Sequence, residues 1–314
     1  MKRFLVTGGA GFIGSHIVDA LARKGYFVRV LDNFSSGTKE NLATAIHKIE
    51  LIKGDIRSAE ICQKATKGID FVLHQAALRS VPKSMNNPVE YNEVNINGTL
   101  NLLQASLKNK VKRFVFASSS SIYGDTDQFP EKEDFLPQPI SPYALTKLVG
   151  EYYCKIFSRH YGLPTVSLRY FNVFGPRQSL DDEYAVVVPK FINCILKDES
   201  PPIYGTGRQS RDFTFVDNVV EANLLAAQKQ AFKGEIFNIA SGRDYTVLAL
   251  VDILNKIMKK KIRPRFCAPR SGDVFKTLAD LSKVKRILGF RPKVDFTEGL
   301  KITLKFFEGK WQKK

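Results

Sequence analysis

A tyrosine and a lysine lie four residues apart in the segment SPYALTK (141–147). This spacing puts Tyr143 and Lys147 on one face of a helix, which happens in many helices without any chemical consequence. A lysine ammonium close to a tyrosine also favours the phenolate, so such a pair can accept a proton near neutral pH. The spacing alone does not choose between these roles. The choice depends on where the rest of the chain places the pair.

A glycine-rich segment near the start, VTGGAGFIGSH (6–16), has the spacing of a phosphate-binding loop. It follows an apolar run and precedes an amphipathic stretch, so it lies between a predicted strand and a predicted helix. Glycines there let a pyrophosphate approach the backbone, and the helix N-terminus supplies amide donors. The cofactor contacts predicted from this loop are Gly8, Gly11, Phe12, Ile13 and Gly14.

An acidic residue stands where a dinucleotide-binding loop requires one. Asp32 follows the last glycine of the loop by 18 positions, at the end of the second apolar run, where its carboxylate can accept from ribose hydroxyls. The same charge would repel a 2′-phosphate, so we predict NAD rather than NADP. Its neighbour Asn33 is also predicted to contact the cofactor. Asp55 and Ile56 are predicted near the adenine, although a strand-end cap would explain them equally well.

Short apolar runs alternate with amphipathic segments through the first half and must position these residues. The runs are 3–8, 27–32, 49–55, 70–77, 113–119 and 165–172. Runs that are apolar on both faces are typical of buried parallel strands, and their crossovers are right-handed. We therefore predict an α/β fold with a doubly wound parallel sheet of the Rossmann type. Its carboxyl edge would bring together the glycine loop, the serines at 118–121 and the Tyr143–Lys147 pair.

The pattern loosens after about residue 173, where segments rich in Pro, Gly and charge separate the remaining elements. Helices are predicted at 187–197, 217–230, 246–260 and 297–308, and a strand at 235–240. We predict a cofactor domain over 1–172 and a smaller α/β substrate lobe over 173–314. Some strands and helices of the second part are expected to cross back to the first.

The composition limits the class of protein. The 314 residues are 44% hydrophobic and 25% charged, as in ordinary globular proteins. Four scattered cysteines without a C-x-x-C pair predict free thiols in a reducing compartment and no metal site. The N-terminal apolar run contains four glycines and does not resemble a signal peptide. Since no stretch of about 20 apolar residues exists, we predict a cytoplasmic protein without an integral membrane segment.

The net charge of +17 is high, and the lysines are densest at 255–266 and 309–314. A basic surface can attract nucleic acid, an anionic membrane or small anionic substrates. Neither segment has a DNA-binding motif or regularly interleaved aromatic residues. We therefore interpret the charge as a solvated basic surface and predict no nucleic-acid partner.

A series of motifs in this order resembles the extended short-chain dehydrogenases/reductases, and in particular the nucleotide-sugar 4-epimerases related to UDP-galactose 4-epimerase. The motifs are TGGAGFIGSH, LDN, GDIR, HQAA, NINGT, SSSSIYG, SPYALTK, RYFNVFGPR, RDFTFVDN and SGD. They span nearly the whole chain. The resemblance implies a UDP-sugar substrate, NAD as a recycled cofactor, and a homodimer formed through two helices of the sheet domain.

The resemblance also implies roles for individual residues. Tyr143 would be the catalytic base and Lys147 its partner, and both would also contact the cofactor. Ser119, four positions before the tyrosine of the YG motif, would be the catalytic serine, with Ser118 and Ser120 as alternatives. Further cofactor contacts would come from Gln75, Ala76, Ala77, Arg79 and Asn95, although Asn95 is expected to hold the backbone rather than touch a ligand.

The substrate contacts implied by the resemblance come from the second half and from the serine run. Asn172 would contact the diphosphate, which Arg211 and Arg270 would clamp through guanidinium groups suited to phosphate. The remaining substrate residues would be Ser80, Ser119, Ser120, Tyr143, Val187, Asp273 and Thr277.

The reaction follows from what the serine run lacks. Related dehydratases and decarboxylases carry a carboxylate before the YG tyrosine, where this chain has Ser120 and Ser121. Without that group, reversible hydride transfer at a secondary alcohol remains, as in 4-epimerisation through a 4-keto sugar. Thr277 replaces the bulky tyrosine of members that exclude N-acetyl sugars, which favours UDP-N-acetylglucosamine and UDP-N-acetylgalactosamine alongside UDP-glucose and UDP-galactose.

Four alternatives remain open. They are a UDP-glucose 4-epimerase without N-acetyl activity, a UDP-glucuronate 4-epimerase, a 4-ketoreductase and a catalytically silent binding protein. Asn172 in RYFN argues against the uronate, and Asp32 argues against the NADPH that a reductase would favour. An intact set of Ser119, Tyr143 and Lys147 argues against a silent protein.

Overall fold

The computed structural model describes residues 1–179, 187–229, 232–269 and 274–311. The strands are β1 (Arg3–Thr7), β2 (Phe27–Asp32), β3 (Ile49–Lys53), β4 (Phe71–His74), β5 (Arg113–Ser119), β6 (Thr165–Tyr170), β7 (Val173–Phe174), β8 (Pro202–Tyr204), β9 (Ser210–Asp212), β10 (Thr214–Phe215), β11 (Glu235–Ile239), β12 (Asp244–Thr246) and β13 (Arg265–Cys267). The α-helices are α1 (Phe12–Arg23), α2 (Ala59–Thr66), α3 (Val81–Asn86), α4 (Pro88–Asn92), α5 (Gly98–Lys108), α6 (Pro142–His160), α7 (Val187–Leu196), α8 (Val216–Gln228), α9 (Val247–Met258), α10 (Ser282–Ile287) and α11 (Phe296–Trp311).

Seven strands form one parallel sheet in the order β11-β6-β5-β4-β1-β2-β3. The chain runs from β1 through β2 to β3, then returns to the other side of β1 to place β4. The order therefore reverses between β1 and β4, and a crevice forms there at the carboxyl ends of the strands. This arrangement confirms the predicted doubly wound α/β fold, and each of the six apolar runs of the first half contains a strand of the sheet.

The glycine loop joins β1 to α1 with little space to spare. A Cβ on Gly14 would lie 2.1 Å from the carbonyl oxygen of Gly8, so helix and loop pack backbone to backbone at this point. Ile17, Val18 and Leu21 of α1 are buried in the main core. The helix ends as the sequence predicts, because Gly25 follows it with a φ of +71°.

Strand β11 belongs to the main sheet, although it lies in the second half of the chain. It pairs with β6 in parallel register, and α8 packs against α1. The second half of the chain thus contributes a strand to the main sheet and a helix that packs against α1. The division at residues 172 and 173 remains a prediction.

A second hydrophobic core lies under α7, α9 and α11. Aromatic rings fill it: Phe213 stacks on Phe296 with centroids 4.9 Å apart, and Phe174 meets both Phe215 and Phe296 edge-on. Strand β9 borders this core and pairs with β12. Because β9 carries Arg211, the second core fixes the position of that arginine.

The four cysteines are free thiols. Within the described ranges, no three His, Cys, Asp or Glu side chains are grouped so that they could hold a metal ion. Among the same residues, no helix has both the length and the apolar character needed to cross a bilayer.

Candidate active site

A cavity lies at the crevice between β1 and β4, and we call it the glycine-loop cavity. The following predicted cofactor residues line it: Gly8, Gly11, Phe12, Ile13, Gly14, Asp32, Asn33, Asp55, Ile56, Gln75, Ala76, Ala77, Arg79, Tyr143 and Lys147. Gly8 has a φ of +65°, and a Cβ there would lie 2.7 Å from the backbone nitrogen of Ala76. A side chain at this position would therefore close the cavity where the loop meets the end of β4.

Asp32 lies at the end of β2 and fixes the loop around it. Its Oδ2 accepts from the backbone N–H of Ala10 and its Oδ1 from that of Phe34, both at 2.8 Å. Burial raises the pKa of Asp32, and these two hydrogen bonds oppose the rise. A carboxylate oxygen can accept more than one hydrogen bond, so Asp32 can still receive the hydroxyls of a ribose in the cavity that it lines.

The far end of this cavity contains a charged cluster. Asp55 pairs with Arg57 at 2.9 Å, and Asn33 donates to the same carboxylate at 3.0 Å. The hydrogen bonds from Arg57 are the main cause that lowers the pKa of Asp55 to about 2. Asp55 is thus an ionised partner of Arg57 as well as a cavity residue. Arg57, the last residue of the GDIR motif, lines the cavity too, although its role as a site residue was missed in the sequence.

The end of β5 and the start of α6 bring together the three predicted catalytic residues. Ser141 caps α6 by accepting from the N–H of Ala144, and Pro142 occupies the first turn. This start places Tyr143 one turn before Lys147, whose Nζ donates to the carbonyl oxygen of Ala117 on β5 at 2.9 Å. Burial lowers the pKa of Lys147 to about 8.

The pKa of Tyr143 differs in direction from the sequence prediction. Burial of the phenol raises this pKa, and the hydrogen bond with Ser119 is the first of the influences that oppose the rise. Lys147 Nζ lies 5.9 Å from the centre of the Tyr143 ring and is bonded to a backbone carbonyl. In the protein alone, burial therefore dominates. The downward shift expected from the sequence requires the positive charge of a nicotinamide ring beside the phenol.

A second, larger cavity adjoins the first, and we call it the Arg211 cavity. Its volume is about 690 Å³, within the range of small-molecule sites. The predicted substrate residues Ser119, Ser120, Tyr143, Asn172, Arg211 and Thr277 line it. The two cavities share the walls formed by Phe12, Ile13, Arg79, Ser118, Tyr143 and Tyr170. Tyr143 thus faces both cavities.

Three residues far apart in sequence form one hydrogen-bonded group in the Arg211 cavity. Asn172 donates to Thr277 Oγ1 at 2.9 Å, and the backbone N–H of Asp212 donates to the same oxygen at 3.2 Å. Asn172 has a φ of +34°, a conformation that asparagine tolerates better than most residues. Arg211 donates to the carbonyl oxygens of Ser210 and Phe275. Asn172 and Arg211, the predicted diphosphate contacts, thus lie in the same cavity as Thr277.

Three predicted ligand residues do not line either cavity. Ser80 caps α3 by accepting from Lys83 N–H, and Val187 begins α7, where it packs against the second core. Asn95 is buried and exchanges hydrogen bonds with both backbone groups of Leu78. Its amide is thus used within the protein, so it supports the cofactor wall rather than forming it. Arg270 and Asp273 lie outside the described residues.

Ser118, an alternative to Ser119, borders both cavities, but its hydroxyl donates to Glu151 at 2.6 Å and is therefore engaged within the protein. Ser119 and Ser120 remain the candidates for the catalytic serine, and both line the Arg211 cavity.

Two further side chains were missed in the sequence. Tyr170 stands in the shared wall, and Gln178 lines the Arg211 cavity with a buried Oε1 that has no partner among the described residues. Tyr170 lies within the RYFNVFGPR motif and Gln178 directly follows it, but nothing in their spacing indicates a ligand.

Comparison with known proteins places this site in a family. The NAD dependent epimerase/dehydratase family matches residues 4–240. A UDP-glucose 4-epimerase of Mycolicibacterium smegmatis is 36% identical over 314 residues, covering 99% of this chain and 100% of that protein.

Two solved structures resemble the whole fold. The first is a UDP-N-acetylglucosamine 4-epimerase from Methanobrevibacter ruminantium M1 in complex with UDP-N-acetylmuramic acid. It has a TM-score of 0.95 and 43% identity, covering 98% of this chain and 99% of that one. The second is a UDP-glucose 4-epimerase from Thermotoga maritima with UDP-glucose, with a TM-score of 0.94 and 42% identity at the same coverage.

These matches confirm the predicted resemblance, the prediction of an enzyme and the prediction of NAD as its cofactor. They also agree with the geometry, since the glycine loop and Asp32 open on one cavity that ends at Tyr143. The chain belongs to the NAD-dependent epimerase/dehydratase family, within the extended short-chain dehydrogenases/reductases.

Proposed function

We propose that this protein catalyses the reversible 4-epimerisation of a UDP-hexose. The observation that carries the proposal is the position of Tyr143 in the wall shared by the glycine-loop cavity and the Arg211 cavity. A base at this position can reach a sugar hydroxyl in one cavity and lie beside a nicotinamide in the other. Ser120 and Ser121 line the Arg211 cavity without a carboxylate, which favours epimerisation over dehydration or decarboxylation.

The residues present fit NAD. The loop at Gly8 and Gly14 has no room for side chains, so its backbone can approach a pyrophosphate at the start of α1. Asp32 offers a carboxylate for ribose hydroxyls and disfavours a 2′-phosphate. NAD bound there would supply reversible hydride transfer at C4 of the sugar.

The protein side chains then move and hold the proton. Tyr143 accepts the proton of the C4 hydroxyl, and Ser119 donates a hydrogen bond to the same oxygen as it becomes a carbonyl. Lys147 supplies positive charge behind the phenol. Asn172 and Arg211 hold the diphosphate while the 4-keto sugar rotates, which would present its opposite face to the cofactor. Tyr143 gives its proton back, and the reaction has no net oxidation.

For the sugar, we propose UDP-N-acetylglucosamine and UDP-N-acetylgalactosamine, together with UDP-glucose and UDP-galactose. Thr277 is small and buried in the cavity wall, with its hydroxyl oxygen engaged by Asn172. A small side chain there leaves room for an N-acetyl group at C2. The two similar structures are named for different sugars, UDP-N-acetylglucosamine and UDP-glucose, so the proposal depends on Thr277 rather than on them.

We propose a homodimer that pairs through α6. Leu145, Tyr152 and Ile156 of this helix are 50%, 54% and 43% exposed, at spacings of seven and four residues that place them on one face. Met85 and Val89, on α3 and α4 beside α6, are exposed as well. Such an apolar face fits a second copy of the chain. Light scattering should give a mass of two chains for the wild type and a mass of one chain for Ile156→Glu.

Proton NMR of UDP-N-acetylglucosamine with the purified protein and no added nucleotide tests the proposed reaction. The anomeric signal of the galacto epimer should appear, which requires a bound cofactor and acceptance of the N-acetyl group. Turnover of UDP-glucose without turnover of UDP-N-acetylglucosamine would support the proposed 4-epimerisation and contradict the role proposed for Thr277. Failure with both sugars, even after NAD is supplied, would rule out the epimerase.

A further inference from the structure

Glu131 is a buried carboxyl group behind the wall of the Arg211 cavity, with 1% of its surface exposed. Its backbone N–H donates to Leu278 O at 2.7 Å, and its carbonyl oxygen accepts from Asp280 N–H at 2.8 Å. These bonds form a parallel bridge opposite Ala279. Thr277, two residues earlier, lines the cavity. The backbone of Glu131 thus fixes the segment that carries part of the cavity wall.

The side chain of Glu131 has few compensating contacts. Its Oε2 is buried and has no hydrogen-bond partner among the described residues. An ionised carboxylate without partners is costly in such an environment. Burial is the main cause that raises the pKa of Glu131 to about 8, and the charge of Asp212 adds to it. At neutral pH Glu131 is therefore mostly protonated.

Asp212 is buried too, but its carboxylate is surrounded by donors. Oδ1 accepts from the N–H and the hydroxyl of Ser241 at 2.8 and 2.7 Å. Oδ2 accepts from the backbone N–H groups of Gly242 at 3.0 Å and Ala279 at 3.3 Å. With these donors Asp212 carries a negative charge at neutral pH, although burial raises its pKa to about 6. Ala279 is thus held by Asp212 from one side and by the backbone of Glu131 from the other.

The charged groups that act on Glu131 are Asp212 and Arg211 of β9 and Arg169 of β6. Arg169 binds both carboxylate oxygens of Glu151, at 2.9 and 2.8 Å, so its charge is already compensated. Arg211 donates to two backbone carbonyls and lines the cavity. An ionised Glu131 would put a second negative charge close to Asp212 and would attract Arg211 away from the cavity.

We propose that Glu131 is a positioning residue. Its uncharged form holds Arg211 and the segment from Thr277 to Leu281 in the shape that binds the nucleotide sugar, and its ionisation weakens that binding. The proposal rests on the proposed function, because it assigns the UDP part of the substrate to the Arg211 cavity. Glu131 lines neither cavity and acts through Asp212 and Arg211. Its ionisation should therefore raise KM for the UDP-sugar and change kcat much less.

Calorimetric titration of UDP at pH 7 and pH 9 tests this assignment. The proteins are the wild type, Glu131→Gln, which keeps the uncharged shape at every pH, and Glu298→Gln, the same change at a half-exposed site on α11. Since a group with a pKa of about 8 is mostly ionised at pH 9, the Kd of the wild type should rise by about tenfold, and so should that of Glu298→Gln. The Kd of Glu131→Gln should stay nearly constant. An equal rise in Glu131→Gln would overturn the proposal.

A second measurement needs no ligand. At pH 9, backbone amides in 274–281 should exchange with deuterium faster in the wild type than in Glu131→Gln. If UDP binds to none of the three proteins, the proposed function fails, and this exchange still decides the role of Glu131. Faster exchange in the wild type supports the positioning role of Glu131, and equal exchange in the wild type and Glu131→Gln overturns that role.

Discussion

The two cavities that meet at Tyr143 are built in different ways. The walls of the glycine-loop cavity come mainly from short segments that follow successive strands of one sheet, so each wall lies close to a strand end. The Arg211 cavity joins the ends of β5 and β6 to β9 and to Thr277, which are separated by long stretches of chain. The first cavity depends on backbone shape, and the second depends on a network of side chains around Asp212.

Removing the phenol oxygen of Tyr143 tests the wall that both cavities share. For Tyr143→Phe we expect kcat to fall by about a thousandfold, since the proton acceptor is lost, while NAD stays bound through the intact glycine loop. Turnover of UDP-sugars and the absorbance of the released cofactor measure the two properties. Tyr161→Phe makes the same change at the exposed C-terminal end of α6 and should leave both unchanged. Loss of NAD in Tyr143→Phe would show that the cavities are not independent.

The difference between the cavities explains which parts of the site the sequence predicts. Gly8, Asp32 and Tyr143 each follow or end a strand, and strand order alone brings them to one edge. Thr277 and Asn172 are brought together by tertiary packing, so only the family resemblance indicated them. Ser80 and Val187, also predicted from resemblance, have local roles as a helix cap and a core residue. The rise in the pKa of Tyr143 depends on burial, which no local pattern specifies.

Adding one methyl group to the glycine loop tests the claim that the first cavity depends on backbone shape. The Cβ of Gly14→Ala would lie 2.1 Å from the carbonyl oxygen of Gly8. The loop and α1 must separate to accommodate it, so we expect the NAD content to fall by more than about tenfold, since a displacement of this kind removes several pyrophosphate hydrogen bonds. Gly309→Ala, where nothing lies within 4 Å, is the control and should retain NAD. Full NAD content in Gly14→Ala would contradict the role of the loop.

Enlarging Thr277 tests the second cavity through its side chains. In Thr277→Tyr, the ratio of kcat/KM for UDP-N-acetylglucosamine to that for UDP-glucose should fall by about 10- to 100-fold, because the ring occupies the space of the N-acetyl group. Thr277→Val removes the hydroxyl that Asn172 contacts but keeps the size of the side chain, so it should change kcat/KM for both substrates by the same factor. If Thr277→Tyr lowers kcat/KM for both substrates by the same factor, Thr277 does not set the sugar preference.

The smallest effect concerns how the buried carboxyl behind the second cavity changes stability with pH. The folded pKa of Glu131 is raised to about 8, so between its unfolded pKa near 4 and pH 8 the unfolded chain loses this proton before the folded chain does. The folded state binds more protons over this range, and its stability therefore falls as pH rises. Glu131→Gln removes that loss. Relative to wild type, its Tm should rise by a few degrees between pH 5 and pH 8.5, measured by scanning calorimetry. Glu298→Gln should follow the wild type over the same range. Parallel curves for Glu131→Gln and wild type would mean that Glu131 titrates at the same pH in the folded and the unfolded chain, and the second cavity would then not depend on the charge state of this carboxyl.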